Sequence, residues 1–180
     1  MNYDSKFEYL FITFRNKPHN PMLNSGAIIS SSLLLEGMKT NCIINRSYQD
    51  NYISIALPFH FTLISNEYQT FIELKKEMSL AEKFDYVMNY IKRIGGGEFV
   101  GFNNAVYLSE RETADRNFAM GYYMKENKCF PTQERHVLQK SMELYFQSCS
   151  IEVNTETLAV MGATLANGGI CPTTGEKVIY

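Results

Sequence analysis

Between Ser79 and Gly97 the apolar residues Leu80, Phe84, Val87, Met88, Ile91 and Ile94 recur at helical spacing, with charged and polar side chains between them. The stretch "SLAEKFDYVMNYIKRIGGG" therefore predicts an amphipathic helix. Ser79 and Glu82 have the spacing of a capping box at its start, and three glycines end it. Upstream, "HNPMLNSGAIISSSLLLEG" predicts another helix, with Asn20 as N-cap, Pro21 at the first helical position and Gly37 as the stop. Downstream, Glu110–Glu126 reads as a single helix opened by Ser109 and Glu112 as a second capping box. Further helices are expected around Val137–Cys149 and Thr155–Asn167, the last closed by Gly168. Strand signals are poor, so the chain reads as mostly helical. Thr40–Met78 breaks the pattern: it has no glycine, is rich in Ile, Asn, Tyr and Phe, and its middle has the period of a short strand or amphipathic hairpin.

The charged stretch "LSERETADRNFAMGYY" is the informative one. With a turn of 100° per residue from Glu110, the residues Glu112, Arg116, Ala119 and Tyr123 cluster on one side, which is the expected solvated face. The opposite side carries Glu110, Ala114, Asn117 and Gly121, flanked by Phe118, Met120 and Met124. Ala114 and Gly121 would leave space beside the helix. A carboxylate turned inward must find a cation or several donors, or lose its charge. Glu110 and Asn117 are thus either an internal ion pair with a packing amide, or the wall of a polar pocket for something small that carries an ammonium group. Asn24, in the first turn of its helix, either bonds locally or offers its amide beside free N–H groups to a carboxylate. Tyr145 in "ELYFQSCSIEV" is either a core aromatic with a tethered hydroxyl or a catalytic phenol.

Composition narrows the class. The 180 residues, 45% of them hydrophobic, suit one domain with a real core. A formal charge of −2 argues against nucleic acid as the main partner. The most apolar run, Ile53–Ile64, is broken by Pro58 and His60 and is too short to span a bilayer. The N-terminus lacks a signal-peptide pattern, and its early acids fit a mitochondrial presequence poorly. Cys42, Cys129, Cys149 and Cys171 lie far apart, and His19, His60 and His136 offer no zinc spacing, so neither a disulfide framework nor a metal site is expected. Gly95–Gly97 and Gly168–Gly169 match no phosphate-loop pattern and read as helix terminators.

Several stretches together, "NKPHNPMLNSGAI", "AEKFDYV", "EFVGFNNAVYLSERETADRNFAMGYYMKENKCFP", "YFQSCSIEV" and "LAVMGATLANGGICPTTGEKV", resemble the animal kidney/liver-type glutaminases. They cover about two thirds of the chain, in the family's order. The resemblance implies an α+β fold of the serine β-lactamase/transpeptidase-like type, of which this chain would hold mainly the helical part. It implies hydrolysis of L-glutamine to L-glutamate and ammonia. The nucleophile would be a serine in an S-x-x-K pair, with the lysine as base and an acyl-enzyme as intermediate. By motif, Asn24 in "LNSGAI", Glu110 in "SERE" and Asn117 in "DRNFA" would bind the substrate, with Glu110 against its α-ammonium. Tyr145 in "YFQSCS" would lie near the nucleophile and orient the reacting groups. The resemblance further implies no cofactor, phosphate as an activator, a homo-oligomer (a tetramer) in the complete protein, and a mitochondrial location.

Two departures stand beside it. No serine has lysine three positions on, so S-x-x-K is absent, and no K-[ST]-G-like triad occurs. Thr40–Met78 has no counterpart where the family joins two helices by a short link. The expectation is a partial glutaminase domain over 1–180 from a truncated gene, with 40–78 a retained intron or lineage-specific loop. The alternative is a non-catalytic helical binding or oligomerisation module of the same descent.

Overall fold

A computed structural model describes residues 24–36, 78–130 and 132–179. Among these residues six helices and two short strands follow one another: α1 (Asn24–Glu36), α2 (Leu80–Ile94), β1 (Val100–Phe102), α3 (Asn104–Glu112), α4 (Asp115–Glu126), α5 (Val137–Cys149), β2 (Ile151–Val153) and α6 (Thr155–Ala166). The expected features at Asn20, Pro21 and Gly37, and nearly all of Thr40–Met78, lie outside the described residues.

Helix starts follow from short polar side chains that satisfy free N–H groups. Ser79 and Glu82 form the expected capping box on α2. Asn103 accepts from the Val106 N–H at 3.1 Å and starts α3. Asn154 accepts from the Thr157 N–H at 2.8 Å and starts α6. Both glycine clusters end helices as expected: Gly96, Gly97, Gly168 and Gly169 all have positive φ, a region that strains other residues. At Gly96 a side chain would also collide with Thr173 Oγ1, 2.2 Å from where its Cβ would stand.

Two apolar clusters organise the packing. In one, Ile28 of α1, Met124 of α4 and Leu138, Met142 and Phe146 of α5 are fully buried. In the other, Val87, Tyr90, Ile91 and Ile94 of α2 meet Met161 of α6 and Cys171 and Val178 of the C-terminal segment. Each such aliphatic side chain contributes about 1.5–3 kcal/mol by leaving water. Helix α5 is the hub, packing against α1, α2, α3 and α4.

The strands were not evident from the sequence. Val100, Gly101 and Phe102 pair antiparallel with Val153, Glu152 and Ile151. At three residues each, they are too short for an alternating pattern to show. Their role is positional. The ladder continues in a bond from the Asn103 N–H to the Ser150 carbonyl at 2.9 Å, which ties the start of α3 to the end of α5.

One expected helix is two. Glu110 closes out α3 rather than opening a long helix, and the chain turns at Thr113–Ala114 before α4 begins. Ser109 lies inside α3, where its carbonyl accepts from the Thr113 N–H (3.1 Å) and hydroxyl (2.9 Å). The cap is Asn103, six residues before Ser109. Competition between the Thr113 hydroxyl and the helix backbone, together with burial of Ala114 at the bend, explains the break. Glu112 and Arg116 therefore lie on different helices rather than one turn apart on a single one.

Candidate active site

The four residues singled out from the sequence come from three separate parts of the chain, and the fold gathers them at the meeting of α1, α3, α4 and α5. Asn24 is the first described residue of α1, and Tyr145 lies in the third turn of α5. The Tyr145 phenol donates to Asn24 Oδ1 at 3.0 Å, across 121 residues of sequence. The Asn24 amide in turn donates to Asn117 Oδ1 on α4 at 3.4 Å. Tyr145, Asn24 and Asn117 are thus one hydrogen-bonded relay in which each acceptor oxygen is assigned a donor. Asn24 does not simply close a local first-turn bond.

Glu110 enters the same neighbourhood from the end of α3. The Tyr145 phenol is held well above its ordinary range, first by burial, then by Cys149 one turn along α5, and then by the negative charge of Glu110. At neutral pH it is therefore a donor and not a phenolate. The Cys149 thiol is pushed up to about 11, chiefly by the protein around it and further by Glu110, against a lowering hydrogen bond from Tyr145. Two groups on α5 thus feel one carboxylate on α3. Glu110 itself is only half-buried, which leaves its oxygens approachable.

The inward and outward faces of the charged stretch survive the break in the helix. Glu112, Arg116, Ala119 and Tyr123 are exposed, while Ala114, Gly121 and Met124 are buried and Asn117, Phe118 and Met120 are partly so. The space expected beside Gly121 is filled, however. Leu138 Cδ1 stands 2.5 Å from where a Cβ would be, so the glycine lets α4 and α5 approach closely and opens no pocket. The polar side chains gather instead at the Asn117 end, where Phe118 packs edge-on to Phe146 (6.1 Å) and Tyr145 leans on the same ring (5.6 Å). These rings hold the phenol in place, as Tyr145 is only 5% exposed.

Cys149 was not singled out from the sequence, although its i+4 spacing from Tyr145 on one helix would have placed it there. Glu143, which meets α3 through Tyr107 and Arg111, carried no sequence signal at all. Among the described residues no group of three or more His, Cys, Asp or Glu side chains is gathered as metal ligands. None of the described helices is long and apolar enough to cross a membrane.

A half-buried carboxylate, two amides and a protonated phenol are what a site needs to hold a small polar molecule by an ammonium and by its oxygens. The fold around them is α+β and, in this chain, mainly helical: the β-lactamase/transpeptidase-like class. A crystal structure of a Bacillus glutaminase superposes with a TM-score of 0.61 at 26% identity, over 94% of this chain and 42% of that one. The Glutaminase family model matches residues 68–180. The liver isoform of mitochondrial glutaminase from Rattus norvegicus is 40% identical over 174 residues, which is 97% of this chain and 22% of that protein. Glutaminase 2 of Clostridium perfringens is 35% identical over 163 residues, 91% of this chain and 39% of that protein. The chain belongs to the glutaminase family, and it spans well under half the length of these relatives.

Proposed function

We propose that this chain forms one wall of a glutaminase site, which hydrolyses L-glutamine to L-glutamate and ammonia through a serine acyl-enzyme. Glu110 pairs with the substrate α-ammonium, Asn24 and Asn117 bond its polar ends, and the protonated Tyr145 phenol orients the reacting groups near the nucleophile. The relay Tyr145–Asn24–Asn117 beside Glu110 carries this reading, because a structural ion pair alone would not need three further polar groups on three helices. The roles of nucleophile and base fall to an S-x-x-K pair that these 180 residues do not contain. Purified as written, the chain should therefore release no ammonia from glutamine above a heat-killed control. Loss of nucleophile and base removes most of the rate enhancement of such enzymes.

The pocket wall can be tested directly. Titration of the isotope-labelled chain with L-glutamine should shift the NMR signals of Asn24, Asn117 and Tyr145, and Glu110→Gln should abolish the shifts. If L-glutamine and an equal concentration of an uncharged amide give the same shifts, no ammonium is recognised and the reading fails.

The remaining parts of the proposal follow the relatives. A homo-oligomer such as a tetramer, a mitochondrial location like that in the name of the rat relative, and phosphate as activator belong to the complete protein. Residues 40–78 are proposed as an insert, so deleting them should leave the helices formed and raise the soluble yield. Unfolding on deletion would make them part of the core.

A further inference from the structure

Helix α3 delivers Glu110 to the site, yet it has no fully buried residue. A helix with so little buried apolar area is held in place weakly by packing, and its position depends on polar contacts. Its start is anchored through Asn103, which caps α3 and donates to Glu152 Oε2 at 3.1 Å. Its other end meets a single carboxylate, Glu143 of α5. The Tyr107 phenol donates to Glu143 Oε1. The Arg111 guanidinium lies 3.6 Å from Glu143 Oε2 and stands 5.5 Å over the Tyr107 ring.

The geometry brackets the site on both sides. Tyr107 and Arg111 lie three residues before and one after Glu110, and Glu143 lies two residues before Tyr145. Behind Tyr107 the rings of Phe102 (tilted, centroids 5.6 Å apart) and then Phe84 (edge-on to Phe102, 5.3 Å) pack in succession, so the phenol has a fixed backing and a fixed aim. Burial and the neighbouring Glu143 carboxylate keep the Tyr107 phenol protonated, and hence a donor, at neutral pH. The Glu143 side chain is 28% exposed and that of Arg111 51%, so the ion pair is solvated on its arginine side and the Tyr107 hydrogen bond is the firmer half of the grip.

We propose that Glu143, gripped by Tyr107 and Arg111, is a positioning residue that locks α3 to α5 and so fixes Glu110 opposite Tyr145 and Cys149. This rests on the reading of Glu110 as the partner of the substrate ammonium. It adds that the place of this charge is set from outside the pocket, by a carboxylate that touches no substrate. Catalytic efficiency would then depend on a joint at the protein's surface.

The Cys149 thiol is a reporter for Glu110 that needs neither substrate nor turnover. Its reaction with iodoacetamide at pH 8, followed by peptide-resolved mass spectrometry, scales with its thiolate fraction. Glu110→Gln removes the neighbouring charge and should speed alkylation of Cys149 by about threefold or more, the effect of a pKa drop of roughly half a unit. If the clamp sets Glu110, Glu143→Gln and the milder Tyr107→Phe should each reproduce most of that acceleration. In a chain already carrying Glu110→Gln, both should add nothing. No acceleration by either clamp variant overturns the proposal. So does an equal acceleration with and without Glu110, because the clamp would then act by loosening α5 rather than by placing the charge. A failure of glutamine recognition would leave these rates unchanged, so the two readings fail separately.

Discussion

Helix α2 and the α3–α4 pair are held by different forces. Helix α2 buries Val87, Tyr90, Ile91 and Ile94 in one apolar seam, and its ends are closed by a capping box and a run of glycines. The α3–α4 pair buries only Ala114, Gly121 and Met124 and relies on polar joints: Asn103 to Glu152, Tyr107 and Arg111 to Glu143, Asn117 to Asn24. Apolar burial is strong but non-directional, and it fixes where a helix lies more firmly than where a single side chain points. Hydrogen bonds contribute less each but specify direction. The half that carries the candidate site uses the directional kind.

This contrast can be broken from either side. The largest effect on stability should come from the apolar seam. Ile91→Ala, at 2% exposure, should cost about 2–5 kcal/mol in urea unfolding, and a cost under about 1 kcal/mol would show that the second cluster is not a packed core. Next comes the close approach of α4 to α5. Gly121→Ala forces a methyl against Leu138 and should cost about 1–3 kcal/mol, with part of it recovered by Leu138→Val.

A pH dependence of intermediate size belongs to the α2 half. Burial opposes ionisation of the Cys171 thiol, but the hydroxyl and backbone donors of Thr173 and Thr174 outweigh it and bring the thiol down to about 6. The folded state then carries a thiolate where the unfolded chain still binds a proton. Stability therefore rises with pH between about 6 and 9, by no more than about 1.4 kcal/mol per pH unit, and is lost again as pH falls toward 6. Comparing the urea midpoints of the chain and of Cys171→Ala over that range isolates this contribution, and parallel curves would remove it. Smaller still, Ser79→Ala should cost about 1 kcal/mol by removing the α2 cap. An unchanged melting temperature would mean that the capping box adds nothing to α2.

The same contrast explains what the sequence could reveal. Helix α2 was legible to its caps because Leu80 to Ile94 repeat an apolar period and Ser79 and Glu82 bond within three residues of each other. Helices α5 and α6 were legible for similar local reasons. The break at Thr113–Ala114 was not, because a helical period continues smoothly across it and only the Thr113 hydroxyl marks the turn. Strands β1 and β2 are stabilised by each other across fifty residues and carry no pattern of their own. Of the candidate site residues, Glu110 and Asn117 were picked out by a helical wheel whose helix does not exist as one piece. The faces came out right because the bend at Ala114 keeps both segments against α5. Asn24 and Tyr145 stayed open between a local and a binding reading until the resemblance favoured the second, since a bond between residues 24 and 145 has no local signature. Glu143 was invisible for the same reason.

The central claim is that Glu110 faces inward to a substrate ammonium while Glu112, two residues on, faces water. It is tested most directly by steady-state kinetics in a chain extended to the full length of its relatives. Glu110→Gln should lower kcat/KM for L-glutamine by at least about a hundredfold, a loss of about 2.8 kcal/mol at roughly 1.4 kcal/mol per decade. The fold should survive, because the Asn103 cap and the Glu143 contacts of α3 remain. Glu112→Gln should leave kcat/KM within about twofold of the parent. Near-normal kinetics for Glu110→Gln, with activity lost in Glu112→Gln, would contradict the account.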